Sequence, residues 1–163
     1  MENLWAPWRL EYIKSEKVDG CFLCQALASD EDRELLLLKR GQQCGVMINR
    51  FPYNNGHLMV FPYRHTHDVV ELSPAEDEET AALVRLSVKI LRKHLGPEGF
   101  NIGINLGKVA GAGLEEHLHT HIVPRWTGDT NFMPALAGIK VVPQALLALY
   151  DQLAPDFATG FTG

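Results

Sequence analysis

The chain has 163 residues, 46% of them hydrophobic and 21% charged, with a net charge of −5 at pH 7. That length and balance fit one globular domain with a single core, and the acidic charge excludes the basic footprint of a duplex nucleic-acid binder. No apolar run reaches the roughly 18 residues of a membrane span, and the opening Met1-Glu2-Asn3-Leu4-Trp5 lacks the basic and apolar segments of a signal peptide.

Three cysteines, an odd number, with two of them at C-x-x-C spacing, suit a reducing compartment, and the cytoplasm is expected. A polyanionic ligand would have to be held locally, by Arg9, Lys39, Arg40, Arg64, Lys108 or Arg125, or by backbone N–H groups.

Residues 1–13 carry Trp5, Pro7, Trp8 and Tyr12, too aromatic for a disordered tail. They read either as a segment packed on the core or as an arm over a ligand or a subunit partner. Cys21-Phe22-Leu23-Cys24 comes next. Two thiols at this spacing supply half of a tetrahedral metal site, and any zinc would need two histidines to complete it. Cys44 lies in an apolar stretch and reads as a buried structural thiol.

Residues 35–39, 44–49 and 57–62 read as three strands. Gly41-Gln42-Gln43 and the turn Phe51-Pro52-Tyr53-Asn54-Asn55-Gly56 separate them. His57 reads as support for a nearby site or as a core histidine. Ser73-Pro74-Ala75-Glu76 opens a helix with Ser as N-cap, Pro at its first position and Glu at its third. Asp77, Glu78 and Glu79 favour the positive end of its dipole, so the acidic run is expected to be a solvated helix start. Leu83, Leu86, Ile90 and their neighbours repeat at three and four, and Gly96-Pro97 ends the helix. Residues 100–106 read as a fourth strand. Residues 141–153, beside Pro143, read as a short amphipathic helix, and 156–163 as a frayed tail behind Pro155. Residues 1–155 then form a single α+β domain: about five antiparallel strands, one long helix and a short C-terminal helix.

The most informative stretch is Glu116-His117-Leu118-His119-Thr120-His121-Ile122-Val123-Pro124-Arg125-Trp126. Strict alternation predicts a fifth strand over 117–123, with three imidazoles on one face and Leu118, Thr120 and Ile122 on the other. Groups that titrate near neutral pH, gathered on one face, suit proton transfer, nucleophilic attack or metal binding. Just upstream, Asn105-Leu106-Gly107-Lys108-Val109-Ala110-Gly111-Ala112-Gly113 is a glycine loop of the kind that aims backbone N–H groups at an anion.

His117-Leu-His119-Thr-His121-Ile-Val resembles the signature of the histidine triad superfamily, and the likeness runs from Trp5 to about Leu153. Leu4-Trp5-Ala6-Pro7-Trp8-Arg9, Asn49-Arg50-Phe51-Pro52-Tyr53-Asn54, Gly56-His57-Leu58 and Pro124-Arg125-Trp126 are most similar to the bacterial branch that acts on diadenosine polyphosphates. The resemblance implies a dimer in which two five-stranded sheets join. It also implies an adenine nucleotide or dinucleoside polyphosphate as ligand, with Asn49 on the ribose. For the C-x-x-C it implies a structural zinc completed by His65, at the family's Pro-x-x-His position, and His117; His67 competes with His65.

The reaction it implies is nucleotidyl transfer. His119 attacks the α-phosphorus, and His121 hydrogen-bonds the phosphate. Asn105 and the amides of Gly111, Ala112 and Gly113 hold the non-bridging oxygens. Water or inorganic phosphate then releases the nucleotide. His117 belongs either to the phosphate pocket or to the metal. The loop departs from relatives that carry a hydroxyl or amide side chain before the triad: Gly111-Ala112-Gly113-Leu114-Glu115-Glu116 has none, so leaving-group protonation is not assigned to it. Three other readings stand beside this one: a nucleoside phosphoramidate hydrolase of the same family, a hydrolase with zinc on the three strand histidines, and a non-catalytic nucleotide-binding module.

Overall fold

The fold is a computed structural model that describes residues 20–129 and 145–160. The aromatic arm expected over 1–13, the first residues of the last expected helix and residues 161–163 lie outside those bounds. A short helix α1 (Phe22–Ala28) leads into β1 (Leu37–Arg40), β2 (Cys44–Ile48) and β3 (Leu58–Pro62). The long helix α2 (Pro74–Leu95), β4 (Gly99–Ile104), β5 (Thr120–Arg125) and α3 (Leu146–Thr159) complete the order. Every pairing is antiparallel, and the strands lie in the order β1-β2-β3-β5-β4. This is the α+β architecture expected from the sequence.

β2 and β3 are buried along their whole length because both faces of the sheet are covered. On one face Val46, Ile48, Leu58, Val60 and Ile122 pack with Leu83, Ile90 and Leu91 of α2 and with Leu149, Leu153 and Phe157 of α3. On the other, Leu37, Met47, Met59 and Phe61 pack with Leu23 of α1. Met59 pairs directly with His121 across β3 and β5. Opposed residues share a face, so the His121 imidazole stands on the side of the sheet that carries α1.

α2 starts as its sequence requires. Ser73 and Glu76 form a reciprocal capping box, and Gly96 closes the helix in the left-handed region at φ 55. The expected solvated acidic start is corrected by Glu76 and Glu79. Glu76 is buried against Arg64. Glu79 accepts the backbone N–H groups of Gln42, Gln43 and Cys44 at 2.7, 2.5 and 2.9 Å. It thus supplies the β1–β2 turn with acceptors the hairpin lacks and pins that turn to α2. Gly56 has both reasons to be glycine: its φ is +75, and a Cβ there would lie 2.5 Å from Leu95 Cδ1.

The expected frayed tail is a second correction. α3 runs through Pro155 to Thr159, and Phe157 is fully buried. A proline inside a helix removes one backbone bond, but tertiary contacts more than offset it. Asp156 accepts from Lys93 Nζ and His94 Nε2 at 2.7 and 2.8 Å, and Lys39 Nζ donates to Phe157 O at 2.9 Å.

Candidate active site

The three histidines do not share one strand. β5 begins at Thr120, so only His121 sits in the sheet ladder, while His117 and His119 approach it through the preceding segment. Leu118 N–H donates to Thr66 O at 2.6 Å and fastens that segment to the loop after β3. All three imidazoles are buried, yet each has a different set of partners, and those partners decide its chemistry.

His119 Nδ1 lies 2.8 Å from the carbonyl of His117. A carbonyl only accepts, so Nδ1 carries the proton and Nε2 keeps its lone pair. Among the described residues, nothing bonds that Nε2. Burial pushes the His119 pKa down, against the raising effect of the His117 carbonyl, so the ring is neutral at pH 7. A buried, neutral imidazole with one bare nitrogen is a poised nucleophile. Its ring centroid is 4.7 Å from that of His121.

His121 has the opposite polarity, set two residues further back. Tyr53 N–H donates to His57 Nδ1 at 3.0 Å, and the Asn49 side-chain amide lies 3.3 Å from the same nitrogen. A backbone N–H only donates, so His57 is protonated at Nε2. That N–H points at His121 Nδ1, 2.9 Å away. His121 therefore carries its own proton on Nε2 and offers a donor, beside the Asn105 amide at 3.4 Å. Burial first, and His119 second, lower the His121 pKa to about 4. His57 is fully buried with both nitrogens engaged, so of its two expected roles it is support for the site. Tyr53 lies against the pair, its ring centroid 4.6 Å from His57 and 5.5 Å from His121.

The glycine loop offers fewer donors than its composition suggests. Gly107 at φ 76 and Gly111 at φ 90 bracket a single 3-10 turn, Lys108–Ala110. Within it Gly111 N–H donates to Lys108 O at 3.0 Å and Ala112 N–H to Gly107 O at 3.4 Å. Of the three amides expected to hold phosphate, Gly113 N–H is the one without an acceptor among the described residues. Asn105 Nδ2 donates to Gly111 O at 3.5 Å and lies 3.4 Å from His121 Nε2, so two N–H donors converge beside the loop. Asn49 is held at both ends, by Phe51 N–H on Oδ1 at 2.9 Å and by His57, with one further lone pair on Oδ1.

His117 turns away from this pocket. Its Nε2 lies 2.8 Å from Pro62 O, so that nitrogen carries the proton and Nδ1 is bare. Nδ1 faces Cys21 Sγ at 3.2 Å and Cys24 Sγ at 3.5 Å, and His65 Nδ1 stands 3.3 Å from Cys24 Sγ. The four ligand atoms of Cys21, Cys24, His65 and His117 all lie within 4.8 Å of one another and can hold a metal ion. Burial first, then Cys21, pushes the Cys24 thiol up to about 11; a cation between the sulfurs would reverse that preference. His67 is 67% exposed and faces Glu71 at 3.8 Å, outside the cluster. Cys44 is buried in β2, also outside it. The alternative of a metal on the three strand histidines is not formed: His119 and His121 are absent from the cluster among the described residues.

The cations expected as anion ligands are mostly engaged elsewhere. Arg40 caps the end of α1 through Ala26 O, Leu27 O and Ser29 O and pairs with Asp32. Arg64 pairs with Glu76, Lys39 with Phe157 O, and Arg125 with Asp129 and Asn101. Arg9 lies outside the described residues. Asp129 gave no sequence signal; it gathers Arg125, Asn54 Nδ2 at 2.8 Å and Trp126 N–H at 3.1 Å and fixes the exit of β5.

Known proteins match this arrangement. Residues 35–128 match the model of the HIT domain. The chain is 37% identical to a protein named AP-4-A phosphorylase from Mycobacterium tuberculosis (strain ATCC 25618 / H37Rv), over 97% of this chain and 85% of that one. It is 30% identical to adenosine 5'-monophosphoramidase hnt1 of Schizosaccharomyces pombe, over 63% of this chain and 74% of that one. A Zn-bound histidine triad family protein from Mycobacterium smegmatis superposes with a TM-score of 0.68 at 25% identity, covering 86% of this chain and 94% of that one. Fold and likeness agree with the resemblance read from residues 117–123, and the chain belongs to the HIT family.

Proposed function

We propose that this HIT protein is a nucleotidyl transferase. It cleaves a dinucleoside polyphosphate of the diadenosine tetraphosphate type at an α-phosphate through a nucleotidyl-histidine on His119, and passes the nucleotide to inorganic phosphate. The observation that carries the proposal is the backbone lock on His119: the His117 carbonyl at 2.8 Å holds the proton on Nδ1 and leaves a buried Nε2 bare. The 37% identity to an AP-4-A phosphorylase over nearly the whole chain supports the substrate class and the acceptor.

In the first step the Nε2 lone pair forms a bond to the α-phosphorus. The bridging P–O bond breaks, and its electron pair leaves with the nucleoside polyphosphate. The His117 carbonyl stabilises the positive charge that develops on the ring. His121 Nε2–H, Asn105 and Gly113 N–H take the non-bridging oxygens, and Asn49 Oδ1 accepts from a ribose hydroxyl. In the second step an oxygen of hydrogen phosphate bonds to the α-phosphorus and the P–N pair returns to Nε2. The acceptor's own proton stays on the product, so no base is needed. A water acceptor would need one, and the carboxylates on the loop over 105–116, Glu115 and Glu116, are exposed.

The second cluster fits a structural zinc. Ligand bonds of about 2.3 Å to sulfur and 2.0 Å to nitrogen at tetrahedral angles place S and N about 3.5 Å apart. The three close S···N distances are 3.2, 3.3 and 3.5 Å. Cys21, Cys24, His65 and His117 would hold the ion, and the Pro62 carbonyl would orient His117. The ion would supply structural cross-linking of α1 to the catalytic segment. The three free cysteines suit the cytoplasm, and no described helix is long and apolar enough to cross a membrane. A second copy of the chain would cover β4, an edge strand whose Ile102 and Ile104 are exposed.

The test is product analysis with diadenosine tetraphosphate in the presence and absence of inorganic phosphate. The expected products are ATP plus ADP, with one phosphate consumed per turnover. ATP plus AMP without phosphate dependence would make it a hydrolase. No cleavage, with turnover of an adenosine phosphoramidate instead, would move the chain to the other named relative's chemistry.

A further inference from the structure

We infer that Lys108 is the residue that selects a polyphosphate leaving group and receives the incoming phosphate, an assignment that rests on the proposed nucleotidyl transfer. Among the described residues the site is short of positive charge. His119 contributes a lone pair, His121 one N–H, and Asn105 and Gly113 neutral donors. The chain is acidic overall, and Lys39, Arg40, Arg64 and Arg125 are each committed to an internal acceptor. Lys108 is exposed, has no such acceptor among the described residues, and sits at the start of the turn between Gly107 and Gly111.

That turn lies beside the nucleophile's neighbour. Lys108 O receives Gly111 N–H at 3.0 Å, Gly111 O lies 3.5 Å from Asn105 Nδ2, and Asn105 Nδ2 lies 3.4 Å from His121 Nε2. A lysine side chain reaches about 6 Å and ends in a compact cation with three donors. It can therefore meet the phosphates beyond the α-phosphorus without entering the buried pocket. The chemistry matches the loop's missing hydroxyl. An amine leaving group needs a proton as its P–N bond breaks. A nucleoside triphosphate leaves as a stable anion and needs only its growing charge met. A loop with an ammonium and no hydroxyl suits the second kind. The same ammonium then attracts hydrogen phosphate to the vacated position.

The experiment compares wild type, Lys108→Met and Lys108→Arg. Affinities for AMP and for α,β-methylene ATP, whose P–C bond cannot be cleaved, are measured by calorimetry, and the KM for inorganic phosphate by phosphorolysis of diadenosine tetraphosphate. Lys108→Met should weaken the triphosphate analogue and raise the phosphate KM by about tenfold each, while leaving AMP affinity unchanged. Lys108→Arg should keep most of both. Equal loss for AMP and the analogue would mean the loop had deformed, and no loss for either would mean Lys108 faces solvent only; both results overturn the inference. Failure of the proposed reaction reads separately, as absence of a His119 adduct in the wild type.

Discussion

His117 and His119 are two residues apart, both buried, and opposite in chemistry. His117 donates from Nε2 to the carbonyl of Pro62 and turns a bare Nδ1 to two sulfurs. His119 donates from Nδ1 to the carbonyl of His117 and keeps a bare Nε2. One is suited to bind a metal and the other to attack phosphorus because a different carbonyl lies within reach of each ring. The first of these histidines also builds the second: the backbone that the Cys/His cluster holds in place carries the carbonyl that sets the tautomer of His119.

The phosphate side of the comparison breaks most sharply at His57. His57→Phe removes the N–H that makes His121 a donor, and turnover should fall by about 100-fold. His57→Gln, whose amide can still donate, should recover part of that loss. Nitrogen NMR on His121 would show Nδ1 losing its donor in the first variant and not in the second. Equal activity in both variants would mean His57 only fills space.

The metal side breaks at Cys21. Cys21→Ser, or chelation, should abolish bound zinc and lower the melting temperature by about 10 °C, since structural zinc contributes several kcal/mol and about 2–4 °C accompanies each in a chain this size. Metal content and calorimetry check this together. If zinc stays bound in Cys21→Ser, the cluster is not its site. A smaller effect lies away from both clusters. Glu79→Ala leaves three turn N–H groups unpaired and should cost about 1–3 kcal/mol by denaturant titration, with the catalytic rate unchanged.

An effect of similar size is with pH. Arg64 first, then the Ser73 backbone, lower the Glu76 carboxyl from 4.5 to about 2. A depressed folded-state pKa gives stability that is full above the unfolded value and lost on acidification. Stability should therefore fall as pH drops from about 4.5 towards 2, and Glu76→Gln should flatten that stretch of the curve.

The two clusters are legible in the sequence, and their division of labour is not. Alternation at 117, 119 and 121 identifies the histidines, and C-x-x-C identifies half a metal site. Which side His117 joins depends on Pro62 O, 55 positions away, and spacing carries no information about a carbonyl brought in by folding. The same holds for Glu79, whose role is fixed by the position of the β1–β2 turn, and for Arg40, which caps α1. The end of α3 differs from expectation because Pro155 is a strong local signal, while the burial of Phe157 that overrides it is a tertiary fact.

The central claim is a covalent bond between His119 Nε2 and a nucleoside monophosphate. Mixing the protein with diadenosine tetraphosphate without phosphate, quenching within one turnover and mapping peptides by mass tests it directly. The predicted result is an adenylyl adduct on the peptide segment that carries His119, lost on addition of phosphate and absent in His119→Ala. Turnover with that histidine unmodified, or an adduct on His117 or His121, would contradict it.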